Sequence, residues 1–132
     1  MWVFTKDGFL SAVQHNDRAR MRIRARRRDD LERAFPGTSI IDMAESGGQF
    51  DYRWHLDVAR GEWVDYLVES AMDIDYTSHA KEAMTRGGQD REMYSALLDV
   101  WTTMYRLQTG VKEVDEFGWD DDDDDEVSDP AE

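Results

Sequence analysis

Two short apolar runs near the start of the chain flank a tight-turn dipeptide. Residues 2–5 and 9–14 lie on either side of Asp7-Gly8. A dipeptide of this kind between apolar runs predicts a β-hairpin. Arginine alternates strictly with smaller, mostly apolar residues over residues 20–26, which predicts a third, half-buried strand. These three strands are expected to form an antiparallel meander.

The middle of the chain predicts a helix and two further strands. Asp29 is the expected cap of a short helix that ends at Pro36-Gly37. Residues 38–44, with Ile40, Ile41 and Met43, predict a fourth strand, and residues 50–58 predict a fifth, because large apolar residues alternate in the latter. One face of the fifth strand is expected to carry Phe50, Tyr52, Trp54, Leu56 and Val58.

Three helices are predicted in the C-terminal half of the body. Residues 62–74 carry apolar residues at helical spacing. A short helix through Met84 follows, with Thr77 or Ser78 as its cap. The longest helix covers residues 89–107, and its Trp and Tyr residues are expected in the core. Its apolar positions are Met93, Tyr94, Leu97, Val100, Trp101, Met104, Tyr105 and Leu107.

This order of elements predicts an α+β fold, an antiparallel sheet of about five strands with helices packed on one face. Gly110 stands where a C-terminal helix cap is expected. Residues 1–110 are therefore predicted to form the globular domain. No apolar periodicity follows Gly110, and residues 111–132 are predicted to be an acidic disordered tail, because adjacent aspartates repel in any compact form.

The charge is divided unevenly between these two parts. Residues 1–110 carry 18 acids and 15 Lys and Arg, a net charge of −3. Residues 111–132 carry 12 acids and one Lys, a net charge of −11. A total of −14 argues against a general affinity for nucleic acid. The short apolar runs and the non-basic N-terminus predict no signal peptide and no membrane span, and hence a cytoplasmic location.

Several segments of the body together form a pattern that resembles a group of small actinobacterial and actinobacteriophage proteins. The segments are residues 2–15, 24–26, 30–33, 73–76 and 99–101, with Tyr105. The resemblance covers most of the body and none of the tail. It implies a bacterial or phage protein in the bacterial (or host) cytoplasm, and it implies no particular activity.

The arginine strand is the first candidate binding feature. Its arginines are two residues apart, so their side chains recur about every 6.5 to 7 Å along one face. They are Arg20, Arg22, Arg24 and Arg26. Guanidinium groups at this spacing could meet successive phosphates or carboxylates. The alternative is a solvated strand face that also discourages edge-to-edge aggregation.

The acidic tail is the second candidate. Phe117 and Trp119 immediately precede an unbroken run of six aspartates, and aromatic rings could anchor while the aspartates supply charge. The run is Asp120, Asp121, Asp122, Asp123, Asp124 and Asp125. The tail could mimic a nucleic-acid backbone toward a basic protein, bind back to the arginine strand, or serve as a solubilising segment.

Catalytic chemistry is not indicated by the sequence. The chain has no Cys, which excludes thiol nucleophiles, disulfides and thiolate metal sites. His15, His55 and His79 belong to no metal-spaced pair and no nucleophile motif. We therefore predict no catalytic residue, no metal and no cofactor. The leading hypothesis is an adaptor or inhibitor of a basic, nucleic-acid-associated host protein. The alternative is a nucleic-acid-binding module that uses the arginine strand, with the tail as autoinhibitor.

Overall fold

Three consecutive strands form the first part of an antiparallel sheet. A computed structural model of the chain describes residues 1–110. The strands are β1 (Trp2–Thr5), β2 (Gly8–Gln14) and β3 (Arg20–Ala25). The predicted hairpin and meander are thus confirmed.

Two later strands complete the sheet on its other side. They are β4 (Ile41–Asp42) and β5 (Trp54–Ala59), and the strand order is β1-β2-β3-β5-β4. Each neighbouring pair is antiparallel. The predicted α+β class with five antiparallel strands is therefore confirmed.

The four α-helices of the described residues occur at the places along the chain that the sequence predicts, one between β3 and β4 and three after β5. They are α1 (Arg28–Ala34), α2 (Arg60–Met72), α3 (Ala80–Ala83) and α4 (Arg91–Thr109), with a 3-10 helix over Met43–Ser46. Residues Met1–Leu97 form one compact unit, and residues 98–110 are the described part of a second unit. The acidic tail lies outside the described residues.

One hydrophobic core fills the first unit. Alternate residues of β2, β3 and β5 point toward α1 and α2, which is the inward face of a half-buried sheet. From the helices, the rings of Phe35, Trp63 and Tyr66 stack with centroids 5.1 to 6.3 Å apart. The sheet contributes Leu10, Ala12, Met21, Ile23, Ala25, Leu56 and Val58. Burial of each larger side chain contributes about 1.5–3 kcal/mol.

The fourth and fifth strands are both shorter than predicted. Asp42 ends β4 because its side chain accepts a hydrogen bond from the Ala44 N–H and begins the 3-10 helix. The fifth strand starts only at Trp54, so Phe50 is exposed in the preceding loop. The expectation that Phe50 and Tyr52 continue one strand face is wrong.

Two predicted helix caps are also wrong. Arg27, not Asp29, is the N-cap of α1, and it makes no side-chain cap hydrogen bond. Helix α3 begins after His79, which has a left-handed backbone, so neither Thr77 nor Ser78 caps it. The predicted C-terminal cap of α4 is confirmed, since Gly110 has φ +73° and donates its N–H to the Arg106 carbonyl.

The long helix is where predicted but is less buried than expected. Only Met93 and Leu97 of its predicted apolar stripe are buried. Trp101 and Tyr105 are exposed and stack on each other with centroids 5.2 Å apart. The expectation that these two rings belong to the core is therefore wrong.

A buried carboxylate joins the hairpin to α1. Asp30 is 1% exposed, and its oxygens accept hydrogen bonds from the Phe9 N–H (3.1 Å), Arg27 Nη2 (3.0 Å) and Arg33 Nη2 (2.7 Å). Burial raises the pKa of Asp30, and these donors oppose that rise. Arg27 also reaches Asp90, just before α4, with Nη2–Oδ2 at 2.9 Å. Asp30 thus joins the hairpin to α1, and Arg27 extends this network to the residue before α4.

Gly8 leaves the space that this carboxylate fills. Its φ is +132°, and a Cβ built on it would lie 2.2 Å from Asp30 Cγ. Replacement by alanine is expected to lower the free energy of unfolding by more than about 2 kcal/mol, because backbone strain adds to the displacement of the Asp30 network. Chemical denaturation measures this loss. Gly48→Ala is the matched control, because it has open space and no positive φ, and should change stability by no more than about 0.5 kcal/mol. Equal effects of the two substitutions would contradict this account.

The Arg27–Asp90 pair should make stability depend on acid pH. The hydrogen bond from Arg27 lowers the pKa of Asp90 from 3.8 to about 2. The Asp90 side chain is 10% exposed. The stabilisation is therefore present above about pH 4, amounts to about 2 kcal/mol, and is lost as the pH falls toward 2. Asp90→Asn should flatten the pH dependence of unfolding in this window. Asp51→Asn removes a far more exposed ion pair and should leave that dependence nearly unchanged.

Candidate functional site

The arginines of β3 lie on the sheet face opposite the core. Arg24 pairs in register with Ser11 of β2 and His55 of β5, and Arg22 pairs with Asp57 of β5. Paired residues share a face, so these side chains form one polar surface, which we call the arginine face. Its arginines alternate with the buried core residues of the same strand.

Arg22 is engaged by an acid on the neighbouring strand. Its Nε lies 2.9 Å from Asp57 Oδ1 and its Nη2 lies 3.3 Å from Asp57 Oδ2, a two-point contact. The Arg22 hydrogen bond holds the pKa of Asp57 below its usual value. His15 Nε2 also approaches this carboxylate, at 3.6 Å from Oδ2. The charge of Arg22 is thus largely balanced within the chain.

Arg24 and Arg26 lie against the ring of Tyr52, a residue that the sequence predicted on the apolar face of the fifth strand. The guanidinium carbons lie 4.5 and 3.8 Å from the ring centroid of Tyr52, whose side chain is 2% exposed. Arg24 Nη2 also donates to Ser11 Oγ (2.8 Å), and Arg26 Nη1 lies 3.0 Å from Asp51 Oδ1. These contacts hold the loop before β5 over the arginine face, in a geometry that favours cation–π attraction.

Arg20 is the exception among the predicted anion-binding residues. Within residues 1–110 its side chain forms no ion pair or hydrogen bond, and it lies opposite Ala59 in the register. An exposed tryptophan also lies on this side of the sheet: Trp2, 70% exposed, meets Phe9 edge-on with centroids 5.8 Å apart. Phe9 in turn stacks on Phe4 at 4.7 Å. The arginine face therefore combines one unpaired arginine with paired ones and an aromatic edge.

A second surface lies on the solvent side of α2. Val64, Val68 and Met72 are 50%, 56% and 81% exposed, and they recur every four residues along one side of the helix. We call these three residues the α2 stripe. The helical spacing predicted the core side of this helix but not the exposure of this stripe, although its four-residue spacing was a readable signal.

A row of acids accompanies the α2 stripe. Asp65 and Glu69 each follow a stripe residue directly in the sequence. Both are exposed, and their side chains form no ion pair or hydrogen bond with the residues described. Glu62, one turn earlier, accepts a hydrogen bond from the Ala59 N–H at 2.8 Å. At least two of these carboxylates are therefore available to a partner.

The acid row forms one wall of a groove between α2 and the end of α1. A cleft of about 210 Å³ is lined by Glu62, Asp65 and Glu69 on one side and by Ala34 and Phe35 on the other. A wider cleft of about 460 Å³ shares Ala34 and Glu69 and extends this groove toward the C-terminal end of α2. Tyr66 lines both clefts. The α2 wall of the groove is thus acidic, the rings of Phe35 and Tyr66 at its base are less than 10% exposed, and Arg33 lines the wider cleft.

Other candidate chemistry from the sequence is distributed without convergence in the described residues. His15 accepts a hydrogen bond from the Asp17 N–H at Nδ1, His79 contacts Ser78, and burial lowers the pKa of His55. Residues 1–110 contain no cluster of three or more His, Asp or Glu side chains that could hold a metal ion. No helix in that part of the chain has the length and apolarity needed to cross a bilayer. Phe117, Trp119 and the aspartate run lie outside the described residues.

Comparisons with protein-family models, with curated proteins and with solved structures found no match to this chain. The resemblance to small actinobacterial and phage proteins therefore stays a sequence-based prediction.

Proposed function

We propose that this protein is an adaptor or inhibitor that binds a basic protein through the α2 stripe. The observation that carries the proposal is the exposure of Val64, Val68 and Met72 on one side of a regular helix, beside carboxylates without partners. Exposed apolar side chains are common one at a time. A contiguous row along a helix is typical of a protein-binding surface.

The length of the stripe suits an elongated contact. Met72 is eight positions after Val64, which is about 12 Å along a helix axis. Apolar side chains at this spacing are the usual contacts between one helix and another helix or a groove.

The charge favours a basic partner over a second copy of the chain. Asp65 and Glu69 border the stripe, and residues 111–132 add a net charge of −11 to the same molecule. Negative potential of this kind attracts basic surfaces and speeds their association. In a symmetric dimer along α2, these carboxylates would face their own copies, and such like-charge pairs are unfavourable.

The proposal predicts that one charged substitution on the stripe removes partner binding. Tagged full-length protein and its Val68→Glu variant would capture proteins from a bacterial lysate, with quantitative mass spectrometry as the readout. A basic partner should fall at least about tenfold with Val68→Glu, because a buried carboxylate would replace an apolar anchor.

Ile41→Glu is the matched control for this capture. Ile41 is a similarly exposed apolar residue on β4, outside the stripe, so this variant should retain the partner. The protein-binding proposal fails if both variants capture the same proteins as the parent, or if the Val68-dependent protein is acidic.

The arginine face supports a second candidate function, the binding of single-stranded nucleic acid. Exposed Trp2 packed against Phe9, with unpaired Arg20 on the same side of the sheet, is the observation that favours it. Aromatic rings beside arginines serve as stacking platforms for bases. In this function the aspartates of the tail would act as an autoinhibitor that competes for the arginines.

This second function predicts release of binding when the tail charge is removed. Full-length protein with asparagine at residues 120–125 should bind an oligothymidine more tightly than the parent at low salt. Fluorescence anisotropy measures the affinity. Adding Arg20→Gln to that variant should weaken binding. Arg91→Gln, which changes an exposed arginine of α4 away from the arginine face, should have a smaller effect. Absence of binding by the neutralised protein in low salt would exclude the nucleic-acid function.

A further inference from the structure

We infer that the element docked on α2 is a cationic amphipathic helix, with its apolar residues on the α2 stripe and its Lys or Arg side chains in the acidic groove. This inference rests on the proposed protein-binding function and names the chemistry of the partner. It follows from the spacing of the stripe, the parallel spacing of the acids, and the groove between them.

The stripe has the period and shape that a second helix requires. Val64, Val68 and Met72 recur at four-residue intervals and form a ridge of the type that packs beside another helix. Gly61 lies on the same side one turn earlier, where a Cβ would meet nothing within 4 Å. A neighbouring backbone could therefore approach closely at the N-terminal end of α2. At the other end of the stripe, the longer side chain of Met72 would fill a wider gap between α2 and the partner helix.

The acids repeat with the same period as the stripe. Asp65 follows Val64 and Glu69 follows Val68, so the two rows run side by side along α2. Carboxylates four residues apart on a helix are neighbours, about 5–6 Å between their Cβ atoms. An amphipathic helix that carries cations beside its apolar row at this spacing would match both rows at once.

The groove provides a place for the stems of those cations. Phe35 and Tyr66 line its base, with ring centroids 5.1 Å apart. The Tyr66 hydroxyl is already satisfied, since it donates to Asp7 Oδ2 at 2.9 Å. The rings are 9% and 8% exposed, and the ring surface that remains can contact the methylene stem of a Lys or Arg while the charged head meets Asp65 or Glu69.

The same features disfavour other occupants. Phosphate groups of nucleic acid or of acidic lipids would face the carboxylates of Asp65 and Glu69 along the α2 wall, and like charges repel. An anionic helix would meet the same repulsion despite an identical apolar row. The charge of the partner helix, and not its hydrophobicity alone, should therefore decide binding.

The test uses two synthetic 18-residue peptides that share the same leucines at helical spacing. All remaining positions are lysine in one peptide and glutamate in the other. Each is titrated into uniformly ¹⁵N-labelled full-length protein, and amide shifts are followed by NMR. The lysine peptide should shift the amides of Val64, Val68 and Met72, and the glutamate peptide should not. Isothermal titration calorimetry supplies the dissociation constants.

A variant without the groove charges distinguishes peptide binding in the groove from peptide binding to the acidic tail, which also attracts cations. Asp65→Asn with Glu69→Gln should weaken the lysine peptide about tenfold, since two exposed ion pairs are lost. Asp29→Asn with Glu45→Gln removes the same charge from exposed positions that do not line the groove, and should change affinity less than about twofold.

Three results would overturn the inference: shifts confined to residues 111–132, equal binding of both peptides, or equal effects of the two double variants. If Val68→Glu still abolished capture of a protein partner in such a case, the protein-binding function would stand and only the helical, cationic nature of the partner would be wrong. If Val68→Glu left capture unchanged, the proposed function itself would fail.

Discussion

The buried carboxylate of Asp30 is the interaction on which the geometry of the first unit depends. It accepts hydrogen bonds from the Phe9 N–H at the start of β2, from Arg27 at the N-cap of α1 and from Arg33 in the last turn of α1. A buried charge is costly unless each oxygen is satisfied, so the surrounding groups have little freedom to move. Helix α1 is thereby fixed against β2, and the acidic groove lies between the end of α1 and α2.

Charge has opposite roles on the two sides of the molecule. On the arginine face, Arg22, Arg24 and Arg26 are occupied by Asp57, Tyr52 and Asp51, so arginine there mainly holds strands and a loop in place. On α2, Asp65 and Glu69 have no partner in the described part of the chain. Arg20 is the one arginine of β3 with neither an ion pair nor a side-chain hydrogen bond in the described residues, whereas α2 presents two such carboxylates beside an exposed apolar row, which is why α2 supports the proposed function best.

The candidate site was only partly predictable from the sequence. The alternation around Arg22 correctly indicated a half-buried strand, because period-two patterning is a local property. That Asp57 would neutralise Arg22 depends on strand pairing 35 residues away, which no local pattern specifies. Tyr52 is buried, as expected, but it lies under arginines and not on the strand face of Trp54, because a bend before Trp54 breaks the alternation.

By itself the sequence determined the elements, the antiparallel α+β class and the separation of a nearly neutral body from a highly acidic segment. These follow from hydrophobic period, turn residues and composition, which act over a few neighbouring residues. Tertiary structure alone decided the strand order, the pairing of the arginines and which apolar rows are covered. Val64 and Trp63 look equally apolar in the sequence, and only the position of α2 on the sheet buries one and exposes the other.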